Sequence, residues 1–264
     1  MDVSSLVAMY KREKSSSERV NFENLYQSAA EFCNPKADNI QSKRAKGQRS
    51  DEQRITDVGI KARRMFTAGM MSHLFPQGQN WIRVVPQNRD LQRNDNVVRA
   101  LSSVTKKFVR AIEDSNFYEE MSQCVDHCGY IGTTALYCEP TNKRMLNFRS
   151  HYINQFFFCE NYLGEVDTVI REFKLTARQA VQQFGEDCPE DISKLANDPK
   201  TSTKEFTFIH VVMPRQNFVP DSVEKTEKPI ASYYISLTGN KLVLESGFDE
   251  MPYSVARFYK TNYE

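Results

Sequence analysis

The chain is poor in everything that marks an exported, membrane-spanning or disulfide-stapled protein. No stretch approaches the ~20 consecutive apolar residues that a membrane span needs. The opening MDVSSLVAMYKREK lacks the apolar core of a secretory signal. Six cysteines in 264 residues are sparse for a disulfide framework and read as reduced thiols. Net charge is nearly absent too, with 35 Lys and Arg against 34 Asp and Glu. The whole chain therefore exerts no pull on nucleic acid or membrane, and any such pull must be local. Catalytic signatures are also missing. GYIGTT (129–134) lacks the lysine and the spacing of a phosphate-cradling loop. There is no His-Glu pair at metalloprotease spacing and no acidic cluster of the two-metal kind. The expectation is a protein that is not an enzyme and carries no cofactor.

One short stretch does bring metal-ligating types together. CVDHC places Cys124 and Cys128 on one helix face with His127 beside it. A structural zinc site wants four N or S ligands. The remaining cysteines (33, 138, 159 and 188) occur singly, so no second ligand pair exists and a buried-thiol face is the better reading. A Cys–His nucleophile would need a third group orienting the base, and the four histidines (73, 127, 151 and 210) show no such set.

What the chain does have is room for a core, with 40% hydrophobic residues, and two clearly different halves. Residues 3–14 read as a short helix and 17–33 as a longer one, with Phe22, Leu25, Tyr26, Ala29 and Phe32 as its apolar stripe. Asn34-Pro35 stops it. The segment 34–50 then carries Lys36, Lys43, Arg44, Lys46 and Arg49 against Asp38 alone. It reads as a loop, and Lys43, Arg44, Lys46 and Arg49 are candidates for contact with a phosphate backbone or an acidic partner. Ser50 with Gln53 fits a capping box for a helix carrying Ile55, Val58, Ala62, Met65, Phe66, Gly69 and Met70 on one side. Its last turns, through Leu74 and Phe75, widen to an apolar surface expected to be buried nearly all round. Pro76 and Gly78 break it. Trp81–Pro86 follows with the alternation of a short strand, its indole placed to cover the helix end. A helix over about 88–113 shows Val97, Leu101, Val104, Phe108 and Ala111 as a heptad-like seam. Its outer face carries Arg99, Lys106, Lys107 and Arg110. Asn116 with Glu119 predicts a capping box for the next helix, which Gly129 and Gly132 end.

From residue 133 the grammar changes. TTALYCE, MLNFRS, INQFFFCE, VDTVIREFK, FTFIHVVMP, ASYYISL, KLVLESG and YSVARFYK are strand-like, with Gly, Pro or Asn between them. One short helix interrupts them, capped by Thr176 with Gln179 and closed by Gly185. The predicted class is α+β: a helical region over 1–132 and a mainly antiparallel β region over 133–264.

Several runs, taken in order, resemble the head-to-tail connector (portal) family of short-tailed, podovirus-type bacteriophages. They are FENLYQSAAEFCNP, DVGIKARRMFTAGMMSHLFPQGQNWIRVVP and FYEEMSQCVDHCGYIGTTALYCEP. YLGEVDTVIREFKLTARQAVQQFG, FIHVVMPR, ASYYISL and GFDEMPYSVARFYKTNYE follow. The resemblance runs over about residues 20–264, and it lies in their joint order rather than in any one motif. It implies a homo-oligomeric ring, usually of twelve subunits, at one capsid vertex of the virion, assembled in the host cytoplasm. Double-stranded DNA would be packaged and ejected through its axial channel. The implied partners are the terminase large subunit, tail adaptor proteins, the major capsid protein and scaffold, with no membrane. Family members continue well past the GF…P…VARF segment, so the chain resembles the wing region of a longer subunit, leading toward a missing stem. Within that reading Trp81, Phe156, Phe157 and Phe158 are candidates for a subunit interface. The run of three phenylalanines breaks strict alternation, so at least one should face away from the local core. The competing reading is a nucleic-acid-binding protein that uses segment 34–50 directly.

Overall fold

A computed structural model describes residues 2–35, 40–41, 56–141 and 144–259. Helices occupy the first half and antiparallel strands dominate the second, so the α+β expectation holds. The chain divides into two compact units, Met1–Leu25 with Tyr152–Tyr253, and Tyr26–His151 with Ser254–Glu264. The boundary at residues 25/26 lies within a single helix.

The first unit is built on strands β3 (Phe156–Glu160), β4 (Val166–Thr176), β5 (Glu205–Pro214), β6 (Ile230–Ser236) and β7 (Lys241–Phe248). They form one antiparallel sheet in the order β3-β4-β5-β6-β7. Both faces are covered, which explains why β5 reads FTFIHVV without polar alternation. Against one face lies α1 (Val3–Ser15), whose Leu6, Val7 and Tyr10 pack with Phe157, Ile170, Ile209, Val211 and Ile235. Against the other lie α6 (Ala177–Phe184) and α7 (Glu190–Ala196). Here Ala180, Phe184 and Ile192 pack with Phe206, Phe208 and Tyr234. The capping box that opens α6 is present, with Thr176 Oγ1 accepting from Gln179 N at 3.3 Å and Gln179 Oε1 accepting from Thr176 N at 2.9 Å.

The second unit combines α3 (Val58–Leu74), α4 (Asp95–Glu113) and α5 (Phe117–Ile131) with β1 (Thr133–Glu139), β2 (Asn147–His151) and β8 (Tyr253–Arg257), of which the first residue, Tyr253, belongs to the first unit. The three strands make a sheet in the order β2-β1-β8. The α3–α5 approach is tight because Gly129 has no side chain: a Cβ there would sit 2.6 Å from Phe66 Cδ1. The same two helices are tied by Arg63 to Asp126 at 3.1 Å and by Thr67 Oγ1 donating to Asp126 at 3.0 Å. Gly132, at φ +89°, closes α5 in the left-handed conformation.

Four local expectations are corrected here. Residues 81–86 form no strand and pair with none among the described residues. Val84 N instead donates to Thr105 Oγ1 at 3.1 Å, and Gln92 Nε2 donates to Pro86 O at 3.0 Å, so neighbouring side chains satisfy the segment in place of a ladder. Asn116 does precede α5, but its side chain does not cap the helix. It brackets Phe148 on β2, accepting from the backbone N at 2.9 Å and donating to the backbone O at 2.7 Å. The last turns of α3 are not buried all round: Leu74 is 49% exposed, with Ser72 and His73 exposed before it, and Met70, Met71 and Phe75 are only half-buried. On α4, and on α2 (Ser17–Cys33), the buried stripe is rotated from the one expected. Thr105, Val109 and Ile112 are buried on α4, and Gln27 and Ala30 on α2, while Val104, Phe108, Leu25 and Phe32 face outward. Gln27 can be buried because its Oε1 accepts the backbone N–H groups of Ile40 and Gln41. The predicted Ser50–Gln53 box lies outside the described residues.

Candidate interaction surface

The thiol–imidazole stretch is folded inward. Cys124 on α5 donates to Ser150 Oγ at 3.3 Å across to β2. Burial pushes the Cys124 and Cys128 thiols up, away from the thiolate form that attacks or ligates. Burial also pushes His127 down, so its imidazole favours the neutral state. Among the described residues no group of three or more His, Cys, Asp or Glu side chains is placed to hold a metal ion. No helix among them is long and apolar enough to cross a membrane.

A second buried polar group escaped the sequence reading. His210 sits fully buried on β5 between Tyr253 Oη and Ser232 Oγ, each 2.9 Å from a ring nitrogen. Its ring stacks on Tyr234 at 4.0 Å. Both ring nitrogens have partners and the side chain is fully buried, so the group holds its neighbours together rather than offering a reactive face. No local pattern could have found it, because its partners lie 22 and 43 residues away.

The candidate interface residues fall into two places. Trp81 is half-buried in an aromatic group. It lies edge-on to Phe75 at 5.1 Å and stacked on Phe117 at 5.8 Å, with its Nε1 donating to Tyr118 Oη at 3.2 Å. That is the helix-end cover the sequence suggested. Phe156 and Phe157 alternate to opposite faces of their sheet and are both buried within the chain. Phe158 is half-buried, 6.1 Å from Phe156. Lys43, Arg44, Lys46 and Arg49 lie outside the described residues.

What the structure adds is a surface on the second unit. The apolar stripes singled out on α2, α3 and α4 exist, but much of each points to solvent. Val104 and Phe108 on α4 are 49% and 42% exposed, with Lys106, Lys107 and Arg110 beside them. At the C-terminal end of α4 a recess of about 370 Å³ is lined by Ala111, Ser115 and Leu146 together with Lys107, Arg110, Arg144 and one carboxylate, Asp114, which lies 3.9 Å from Arg110. Met145 stands at its edge, 78% exposed. Three cations against one carboxylate leave the recess net positive, and with Ala111, Leu146 and Met145 in its lining it suits an apolar side chain flanked by carboxylates.

The family model described as bacteriophage head to tail connecting protein matches residues 7–264. The portal protein of Salmonella phage epsilon15 is 26% identical over 244 residues, which is 91% of this chain and 44% of that protein. The probable portal protein of Bordetella phage BPP-1 is 24% identical over 208 residues, or 78% of this chain and 37% of that protein. The chain thus spans less than half the length of these curated relatives.

Proposed function

The chain belongs to the family of bacteriophage head to tail connecting proteins, and from that premise we propose that it is the wing-forming part of a portal subunit. In this reading identical subunits close into a ring, of twelve by family resemblance, at one vertex of the phage capsid. Double-stranded DNA passes through the axial channel during packaging and ejection. The ring docks the terminase large subunit and later tail adaptor proteins, within a shell of capsid protein and scaffold. It performs no catalysis of its own.

The observation that carries this reading is the match across residues 7–264 to the connecting-protein family. The structure is compatible with it in a specific way. A ring subunit buries surface against two neighbours through a heterologous, closing interface, so it needs two different patches that are complementary to each other. Such obligate interfaces bury about 2,000 Å² or more in total. The outward apolar residues on α2, α3 and α4 provide surface of the kind that such burial consumes.

Negative-stain imaging with light scattering on the full-length protein tests the proposal. Annular particles of many subunits, with a central opening wide enough for a duplex, are expected. A stable monomer at micromolar concentration, with no annulus in any ionic condition, would refute it.

A further inference from the structure

The near-zero net charge hides a separation. By sequence, the first unit carries 14 Lys and Arg against 20 Asp and Glu, a net −6, whereas the second carries 21 against 14, a net +7. Two copies of such a chain attract when the first unit of one meets the second unit of the other. They repel when like units meet. That charge pattern favours contacts between unlike units of two copies over contacts between like units.

The most protruding apolar point of the acidic unit is the turn joining β3 to β4. Tyr162 is 95% exposed and Leu163 is exposed beside it. Carboxylates flank them at Glu160, Glu165 and Asp167. The turn is pre-shaped. Asn161 Oδ1 accepts from Leu163 N at 2.9 Å and Glu165 N at 3.0 Å, Asn161 N donates to Glu165 O at 2.8 Å, and Gly164 takes φ +76°. A pre-ordered tip loses little conformational freedom on docking.

Resting on the portal reading, we propose that the Tyr162–Leu163 tip of one copy seats in the recess beside α4 of the next copy. Apolar tip meets Ala111, Leu146 and the exposed Met145. Glu160 and Glu165 meet Lys107, Arg110 and Arg144. The occupant is therefore a second copy of this chain, chosen by charge and by the match of one apolar projection to one apolar recess. Each copy offers one tip and one recess, so under the portal reading the contact repeats from copy to copy around the ring.

A charge swap in the full-length protein tests this, read by light scattering and negative-stain imaging. Glu165→Arg and Arg110→Glu are each expected to lower the ring fraction about tenfold at low salt, and the double variant to recover most of it. Tyr162→Ser with Leu163→Ser should lower it without recovery by either charge change. Neither site is in a core, and unchanged circular dichroism and melting keep the reading on assembly. Rings should also weaken near 1 M salt, where the screening length is about 3 Å. If wild-type rings form and all these variants assemble normally, the tip–recess contact is wrong while the portal reading stands. If the wild type forms no ring at all, the portal reading itself has failed. If Arg110→Glu leaves rings intact but abolishes binding of a 30-base-pair duplex, the recess faces DNA and the proposal is overturned.

Discussion

Replacing Tyr10 by Phe removes one hydroxyl from a buried network and should change the shape of the stability–pH profile. Tyr10 on α1 is only 4% exposed, and its Oη donates to Glu172 Oε2 on β4 at 2.7 Å. Lys14 Nζ donates to both, at 2.9 Å to Tyr10 and 2.6 Å to Glu172. A hydrogen bond to a charged acceptor contributes about 1.5–3 kcal/mol, so that is the expected loss near neutral pH. Burial, reinforced by the Glu172 acceptor, pushes the Tyr10 hydroxyl up to about 12, against the opposing effect of Lys14. An acid whose folded value exceeds its unfolded value of about 10 contributes fully below that value and loses its contribution as pH climbs from about 10 to 12. Two units correspond to about 2.7 kcal/mol at the upper end of that window. Glu172 behaves oppositely. Burial pushes it up, but the donors Lys14 and Tyr10 outweigh burial and hold it below its ordinary value. Its contribution is present above the usual carboxylate range and fades as pH falls through the folded value. Tyr10→Phe should therefore lower the plateau, flatten the alkaline limb and soften the acid limb. Lys14 is raised, because its two partners outweigh burial, and it retains Glu172 in the variant, so some alkaline decline persists. Urea titrations followed by circular dichroism at about pH 4, 7.5 and 11 separate these effects. If wild type and variant lose equal stability between about pH 9 and 11.5, the buried hydroxyl is not what titrates and the reasoning fails.

Three other changes probe separate parts of the fold. His210→Phe keeps the ring but leaves Ser232 Oγ and Tyr253 Oη without that partner, and should cost about 2–4 kcal/mol in chemical denaturation. A cost under about 0.5 kcal/mol would contradict a structural role for the imidazole. Asn116→Ala removes both bonds to the Phe148 backbone and should lower stability by about 2 kcal/mol, well above the few tenths expected of a residue that caps nothing. Hydrogen exchange should locate the loss at β2. Gly129→Ala gains about 1 kcal/mol of helix propensity but forces a Cβ against the Phe66 ring. Overpacking of about 1–3 kcal/mol should win. In a Phe66→Leu background the same substitution should become neutral or stabilising, and a stabilising effect in the wild-type background would refute the close approach.

Where local chemistry alone decides an element, the sequence was a good guide. The Thr176–Gln179 box opens α6 at the predicted residue, and Gly132 ends α5 with a positive φ that glycine adopts cheaply. The strands of the second half also stand close to their predicted runs, because β-branched runs between Gly, Pro and Asn have few other options. What failed depended on distant partners. Trp81–Pro86 has strand composition, but no strand reaches it among the described residues, and composition cannot supply a ladder. Asn116 has the right spacing for a cap, but β2 competes for its amide more successfully than the helix end does. The polar partners of His210 come from β6 and β8, and no window of sequence joins them.

The helix faces failed for a more informative reason. On α2, α3 and α4 the most apolar stripe was assigned to the core, as amphipathic reasoning directs. On α2 and α4 the structure instead buries an adjoining stripe of mixed character, including Gln27 and Thr105, on α3 it fully buries no residue, and Leu25, Phe32, Met65, Val104 and Phe108 face outward. Periodicity identifies the side of a helix that avoids water, but it does not say whether the same chain or another provides the cover. A single outward leucine is ordinary. Helices α3 and α4, with Phe32 on the second unit's part of α2, turn apolar side chains outward together, and that is a different matter, since such surface carries a solvation cost that the isolated chain does not recover. The first unit shows the contrast. Its sheet is covered on both faces, and the apolar pattern of β5 matches what is buried. The disagreement between pattern and burial is thus concentrated in the basic unit. There, cover from another copy would make the pattern correct at the level of the assembly.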